Sequence, residues 1–159
     1  MSKMFNLTGK LIYDPVRDDL RRKDQSRTLI LDIETEEMVS YYYWFLSRKY
    51  GSWLKLQPPM FGTHVKVIYP REVPVEPLEW RKYEGRLIKI SYSPELLERH
   101  WEFWSFTIFS KELVDIRREL GLETNFRLHL TIGRQFDWQP RENIIGVNHD
   151  TDYLDFEPN

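Results

Sequence analysis

The chain has 159 residues, of which 23 are basic and 25 acidic, so its formal net charge is −2. This balance argues against a protein that coats nucleic acid or binds a membrane surface by charge alone, and any anion site must be local. The absence of cysteine excludes disulfides, thiolate catalysis and cysteine-based metal sites. No apolar run is long enough to span a bilayer, and Met1 to Lys10 lacks a signal-peptide core, so we expect a cytoplasmic protein.

The first third of the chain predicts a strand, a second strand and a helix. Met4 to Tyr13 is the first strand, and the charged stretch Asp14 to Arg27 after it is a solvated segment or grips phosphates. Thr28 to Ile33 is rich in branched apolar residues, which favours a strand. Thr35 is a typical helix N-cap, and Gly51 follows basic residues that are typical of a last helical turn, so the helix ends near there.

The next element is a strand that carries a histidine. Between Thr63 and Tyr69, apolar Val65 and Val67 alternate with His64 and Lys66. Residues two apart on a strand share a face, so His64 and Lys66 project to the same side. The prolines between Pro70 and Trp80 then predict an irregular connection, which is the expected hinge between two halves.

The second half predicts a hairpin followed by a helix. Gly85 to Tyr92 and His100 to Phe109 both alternate, with Ser93 to Arg99 as their connection. Ser110 is the expected N-cap of a helix over Lys111 to Leu120, with Gly121 just past its end.

A second histidine strand follows, Phe126 to Arg134. Its apolar residues alternate with Arg127, His129 and Thr131, so an imidazole and a hydroxyl share one face. Taken alone, this pattern also fits a half-buried strand with a solvated histidine. The order of strand, capped helix and histidine strand occurs in both halves, which predicts an internal duplication.

Two histidine motifs that face one another suit phosphodiester chemistry. One imidazole can accept a proton from the attacking oxygen while the other, protonated, donates to the leaving oxygen. A neighbouring hydroxyl or ammonium group can stabilise the phosphoryl oxygens, and no metal is needed.

The chain resembles the 2H phosphoesterase superfamily, whose signature is two His-x-Thr/Ser motifs, one in each half. His129 and Thr131 fit this signature fully, whereas the first motif departs from it because Lys66 replaces the hydroxyl. The resemblance implies catalytic roles for His64 and His129 and phosphate binding by Lys66 and Thr131. It also implies an α+β, bilobal, 2H phosphoesterase-like fold in one domain (residues 1–159), with two pseudo-symmetric antiparallel sheets, each with a helix, and a cleft between them. The lobes would span residues 28–70 and 85–134, followed by an acidic tail at 141–159.

The implied function is metal-independent hydrolysis of a nucleotide phosphodiester, without a cofactor. The partner would be a nucleotide, a cyclic phosphate, a cyclic (oligo)nucleotide or an RNA end. Further expected ligand contacts are Tyr69, Arg134, Phe136 and Trp138, because aromatic and cationic side chains bind bases and phosphates. Lys66 leaves a second interpretation open, a non-catalytic module that binds nucleotide or RNA. A third is an interaction protein in which the two histidine strands are coincidental.

Overall fold

Seven strands and two helices form within residues 3–15, 27–50, 56–59, 61–72, 80–99 and 103–135, which are the residues that the computed structural model describes. In chain order they are β1 (Phe5–Tyr13), β2 (Leu29–Ile33), α1 (Glu37–Tyr50), β3 (Leu56–Gln57), β4 (His64–Ile68), β5 (Leu87–Arg99), β6 (Phe103–Phe109), α2 (Lys111–Glu119) and β7 (His129–Gln135). The predicted tail at 141–159 lies outside this part of the chain.

The strands close into a single antiparallel barrel. Six of them pair in the order β7-β4-β2-β1-β5-β6, and β6 pairs back to β7, while the short β3 adds to the end of β7. The predicted bilobal fold with two separate sheets is therefore wrong. The physical reason is that β7 pairs with β4 of the first half and β6 of the second, and β1 pairs with both β2 and β5. Ring closure leaves no free edge between the halves.

The barrel strands have one apolar face, which the pairing register defines. Residues directly opposite one another on paired strands project to the same face. Leu11 lies opposite Leu31, Leu31 opposite Val65, and Val65 opposite Leu130, and all four side chains are fully buried. Phe106 of β6 continues this row.

The opposite face is polar, and it is called the polar face below. Lys10 lies opposite Asp32, and Asp32 lies opposite His64. On the next two strands round the barrel, Ser105 of β6 lies opposite Thr131 of β7, and Thr107 lies opposite His129. One face therefore collects polar side chains from β1, β2, β4, β6 and β7.

Both helices contribute to the apolar side. The ring of Tyr42 on α1 lies 4.6 Å from that of Phe106. On α2, Leu113 and Ile116 are buried in the same apolar cluster. The predicted cap of α2 is confirmed, because Ser110 Oγ accepts a hydrogen bond of 3.2 Å from the backbone N–H of Leu113. None of the helices in the described residues is long and apolar enough to cross a membrane.

One predicted strand boundary and one predicted connection differ: β7 begins at His129, three residues after the predicted start at Phe126. Ser93 to Arg99, expected to be a loop, continues β5, because Leu96 to Arg99 pair with β6 beyond an irregularity in the register. The hairpin between these strands is otherwise confirmed.

A buried arginine ties the end of β4 to the segment that leads into β7. Arg117 of α2 has a side chain that is only 1% exposed. It donates to the carbonyl oxygens of Val67 (2.7 Å) and Glu123 (2.8 Å) and forms a two-pronged ion pair with Glu72. Its guanidinium also lies 4.0 Å from the ring centroid of Phe126. One side chain thus fixes both strands that carry the histidine motifs.

Candidate active site

The pairing of β4 with β7 brings the two histidine motifs together. Val65 lies opposite Leu130 in an antiparallel pair. His64 and Lys66 flank Val65 on β4, and His129 and Thr131 flank Leu130 on β7. Residues next to a paired position project to the opposite face of the strand, away from apolar Val65 and Leu130. All four residues therefore lie side by side on the polar face, on two neighbouring strands.

The ring of His64 is oriented by the turn that precedes β4. Its Nδ1 lies 2.9 Å from the carbonyl oxygen of Gly62, and a carbonyl only accepts, so Nδ1 carries the proton. Nε2 is then the proton-accepting atom. Gly62 has a φ of +67°, a conformation that glycine adopts without strain. The ring of Phe61 packs edge-on against the imidazole, with centroids 5.6 Å apart.

His129 has the same arrangement at the start of β7. Its Nδ1 lies 3.3 Å from the carbonyl oxygen of Arg127, which again makes Nδ1 the donor and Nε2 the proton acceptor. The residue is only 8% exposed, whereas His64 is partly open to solvent. The two imidazoles thus have the same tautomer, set by backbone carbonyls two residues upstream.

Both imidazoles are neutral at neutral pH. Burial and, to a smaller extent, the Lys66 ammonium together lower the pKa of His64 to about 4, against the bond to the Gly62 carbonyl, which raises it. Burial is also the largest cause that lowers the pKa of His129 to about 3; the charges of Arg127 and Lys66 contribute, and the bond to the Arg127 carbonyl opposes the shift. The site in the free protein therefore holds two bases and no acid. A bound phosphate anion would favour protonation of one imidazole, because opposite charges attract.

Lys66 is a buried part of this site. It is 9% exposed, and its Nζ lies 5.2 Å from the ring centroid of Tyr69. Tyr69 in turn packs edge-on against Phe126, at 6.3 Å between centroids. The predicted contact residue Tyr69 thus borders the site next to Lys66. The charge of Lys66 acts on both histidines, whereas sequence alternation placed it on the same face as His64 only.

The other predicted contacts have different outcomes. Alternation along β7 would place Arg134 with apolar Leu130 and Ile132. A bulge opposite Trp104 and Ser105 shifts the register, so Arg134 pairs with Phe103 and returns to the polar face. Its guanidinium lies 5.5 Å from the Phe103 ring centroid. Phe136 and Trp138 lie outside the described residues.

Three polar residues at the site had no assigned role in the sequence. The guanidinium of Arg127 donates to Thr107 Oγ1 (3.1 Å) and to Ser105 Oγ (3.3 Å), both on β6. The alternation of Arg127 with His129 and Thr131 was a usable signal for the arginine. Nothing local to β6 indicated that its hydroxyls would join the site, because that depends on the pairing of β6 with β7.

A carboxylate lies on the other side of His64. Asp32 on β2 is the direct cross-strand partner of His64. Burial raises the pKa of Asp32, the charges of Glu34 and Glu36 add to this, and Lys10 opposes it. Within the described residues, no group of three or more His, Asp or Glu side chains is arranged to hold a metal ion.

Comparison of the chain with protein-family models, curated proteins and solved structures finds no match. Membership of the 2H phosphoesterase superfamily therefore stays a prediction from the two motifs.

Proposed function

We propose that the protein is a metal-independent phosphodiesterase of the 2H type. Its substrate would be a nucleotide phosphodiester: a cyclic phosphate, a cyclic (oligo)nucleotide or an RNA end. The observation that supports this most is the pairing of Val65 with Leu130, because His64 and Lys66 flank Val65 on β4 and His129 and Thr131 flank Leu130 on β7. A cytoplasmic location, expected because the sequence has no long apolar run and no signal-peptide core, belongs to the same proposal.

The two histidines would divide the proton transfers according to their surroundings. His129 is the more deeply buried of the two imidazoles, and burial is the main reason that it stays neutral, so it would be the general base. Its Nε2 takes a proton from the attacking water as the water oxygen bonds to phosphorus. His64, protonated in the complex with the anionic substrate, donates its proton to the leaving oxygen as that bond breaks. Lys66 and Thr131 would stabilise the phosphoryl oxygens. Exchange of one proton with solvent then restores the starting state.

The first experiment is hydrolysis of 2′,3′-cyclic nucleotides and cyclic dinucleotides by wild-type protein and by His64→Ala and His129→Ala. Each substitution should lower the rate by about a hundredfold or more, because each removes a proton-transfer group. His100→Ala removes a histidine that has no role in the proposal and should keep the wild-type rate. Activity should also survive a chelator. The mechanism would be refuted by full activity in the double variant His64→Ala/His129→Ala, or by loss of wild-type activity when a chelator is added.

A second function is favoured by one observation. Because both imidazoles are neutral in the free protein, the site lacks a ready general acid. A module that binds a nucleotide without cleaving it would need only the cations and hydroxyls. Long incubation with a tightly bound cyclic nucleotide, followed by chromatography of the recovered ligand, distinguishes the two. Intact ligand would favour the binding module.

A further inference from the structure

Arg127 is held on the polar face by two hydroxyl groups of β6. Its Nη1 donates to Thr107 Oγ1 at 3.1 Å, and its Nη2 donates to Ser105 Oγ at 3.3 Å. Ser105 is 2% exposed, so its side chain has a fixed environment. The guanidinium therefore lies over β6 instead of extending into solvent. Its charge acts on the neighbouring His129.

The strand order separates this cation from Lys66. Lys66 is on β4, the histidine strand β7 lies next to it, and β6 lies beyond β7. Adjacent strands are about 4.8 Å apart, so β4 and β6 are separated by roughly 10 Å. One phosphoryl group between His64 and His129 is too small to fill a polar surface of that width. The cation over β6 thus extends the site beyond the scissile phosphate.

We propose that Arg127, seated on Ser105 and Thr107, binds a second phosphate of the substrate, next to the phosphodiester that lies between His64 and His129. The planar guanidinium presents paired N–H donors that match the oxygens of a phosphate. The inference rests on the proposed function, and it narrows the substrate class to nucleotides that carry a further phosphate beside the one that is cleaved.

Binding tests the subsite without turnover. The probes are adenosine 3′-monophosphate and adenosine 3′,5′-bisphosphate, measured by calorimetry in a phosphate-free buffer. A charge-assisted hydrogen-bonded contact should make the bisphosphate bind about 10- to 100-fold more tightly. Arg127→Gln should remove this preference and leave the affinity for the monophosphate unchanged. Arg118→Gln makes the same charge change on the surface of α2, where the side chain is 64% exposed, and should keep the preference.

Kinetics tests the same subsite with paired substrates. We expect Arg127→Gln to raise KM for 2′,3′-cyclic AMP that carries a 5′-phosphate by about 10- to 100-fold. KM for 2′,3′-cyclic AMP without that phosphate should change little. Thr107→Val removes one of the hydroxyls that hold the guanidinium and should produce a smaller effect in the same direction.

The outcomes separate the subsite from the proposed function. The subsite would be refuted if the wild-type protein bound the monophosphate and the bisphosphate with equal affinity. It would also be refuted if Arg127→Gln lowered the affinity for both ligands by the same factor. If the preference is present and lost in Arg127→Gln but no substrate is cleaved, the subsite stands and the phosphodiesterase proposal fails. A melting temperature near that of wild type shows that Arg127→Gln is folded, and Thr107→Val supplies an independent test if it is not.

Discussion

The neutral, buried histidines make a specific prediction about stability below neutral pH. Both native pKa values, about 4 for His64 and about 3 for His129, lie below the ordinary value of 6.5. Above pH 6.5 the imidazoles are neutral in the native and unfolded states alike. Below it, only the unfolded state takes up the protons. Stability is therefore lost as the pH falls from about 6.5 towards the native pKa values.

The size of the loss follows from these values. In the unfolded protein a histidine has a pKa of about 6.5, so at pH 5 it is protonated there. If the native imidazole stays neutral, this protonation shifts the folding equilibrium towards the unfolded state by a factor of about 30. This factor corresponds to about 2 kcal/mol for His129 and no more than about that for His64, whose ring is partly exposed. The two together contribute up to about 4 kcal/mol, a large part of the free energy of unfolding of an ordinary domain.

Urea unfolding at pH 8, 7, 6 and 5, followed by tryptophan fluorescence in phosphate-free buffer, measures this loss. The double variant His64→Gln/His129→Gln keeps a similar side-chain volume and does not titrate. Between pH 8 and pH 5 it should lose about 2 to 4 kcal/mol less stability than the wild-type protein. Titrating carboxylates away from the two histidines act in both proteins and cancel in this difference. Parallel pH dependence in the two proteins would refute the burial of the neutral imidazoles.

Four further predictions follow from the same site and its supports. The value of kcat/KM should rise about tenfold per unit as the pH falls from 8 to 6, since one imidazole must be protonated, and a maximum near pH 7 would contradict this. Lys66→Glu should abolish binding of a phosphate ligand in calorimetry because it places like charges together, whereas Lys66→Thr should keep turnover. Unchanged binding in Lys66→Glu would show that Lys66 does not belong to the site. Gly62→Ala should destabilise the protein by about 1 kcal/mol, because φ is positive at this position and an added Cβ would lie 3.2 Å from a side-chain oxygen of Glu36. It should also lower kcat, because the carbonyl of residue 62 orients the His64 ring. Arg117→Met should lower the free energy of unfolding, measured with urea, by about 3 kcal/mol because it breaks the buried ion pair with Glu72. A loss below 1 kcal/mol would show that this ion pair contributes little to stability.

The local elements of this protein could be predicted from its sequence. The N-cap at Ser110 and the end of α1 after basic residues depend on neighbours within one helical turn. The shared faces of His64 with Lys66, and of His129 with Thr131, depend only on the two-residue period of a strand. Such features are set by interactions between residues close in the chain, so the pattern of residue types contains them.

The fold class depended on contacts that no local pattern contains. The two halves look like separate sheets in the sequence, and the structure joins them because β7 pairs with β4 and β1 pairs with β5. A strand with one apolar face can pair with any strand that presents a similar face, and the choice is made by the packing of the whole core. The prediction of two lobes was therefore wrong although most of their strands were placed correctly.

The residues of the site were likewise only partly predictable from the sequence. The sequence by itself determined which residues of β4 and β7 share a face, and so made His64, Lys66, His129 and Thr131 candidates. Only the tertiary structure decided that Ser105 and Thr107 lie beside them and that a bulge returns Arg134 to their face. It also decided that both imidazoles are neutral, because desolvation depends on every atom packed around a ring, whatever its distance along the chain.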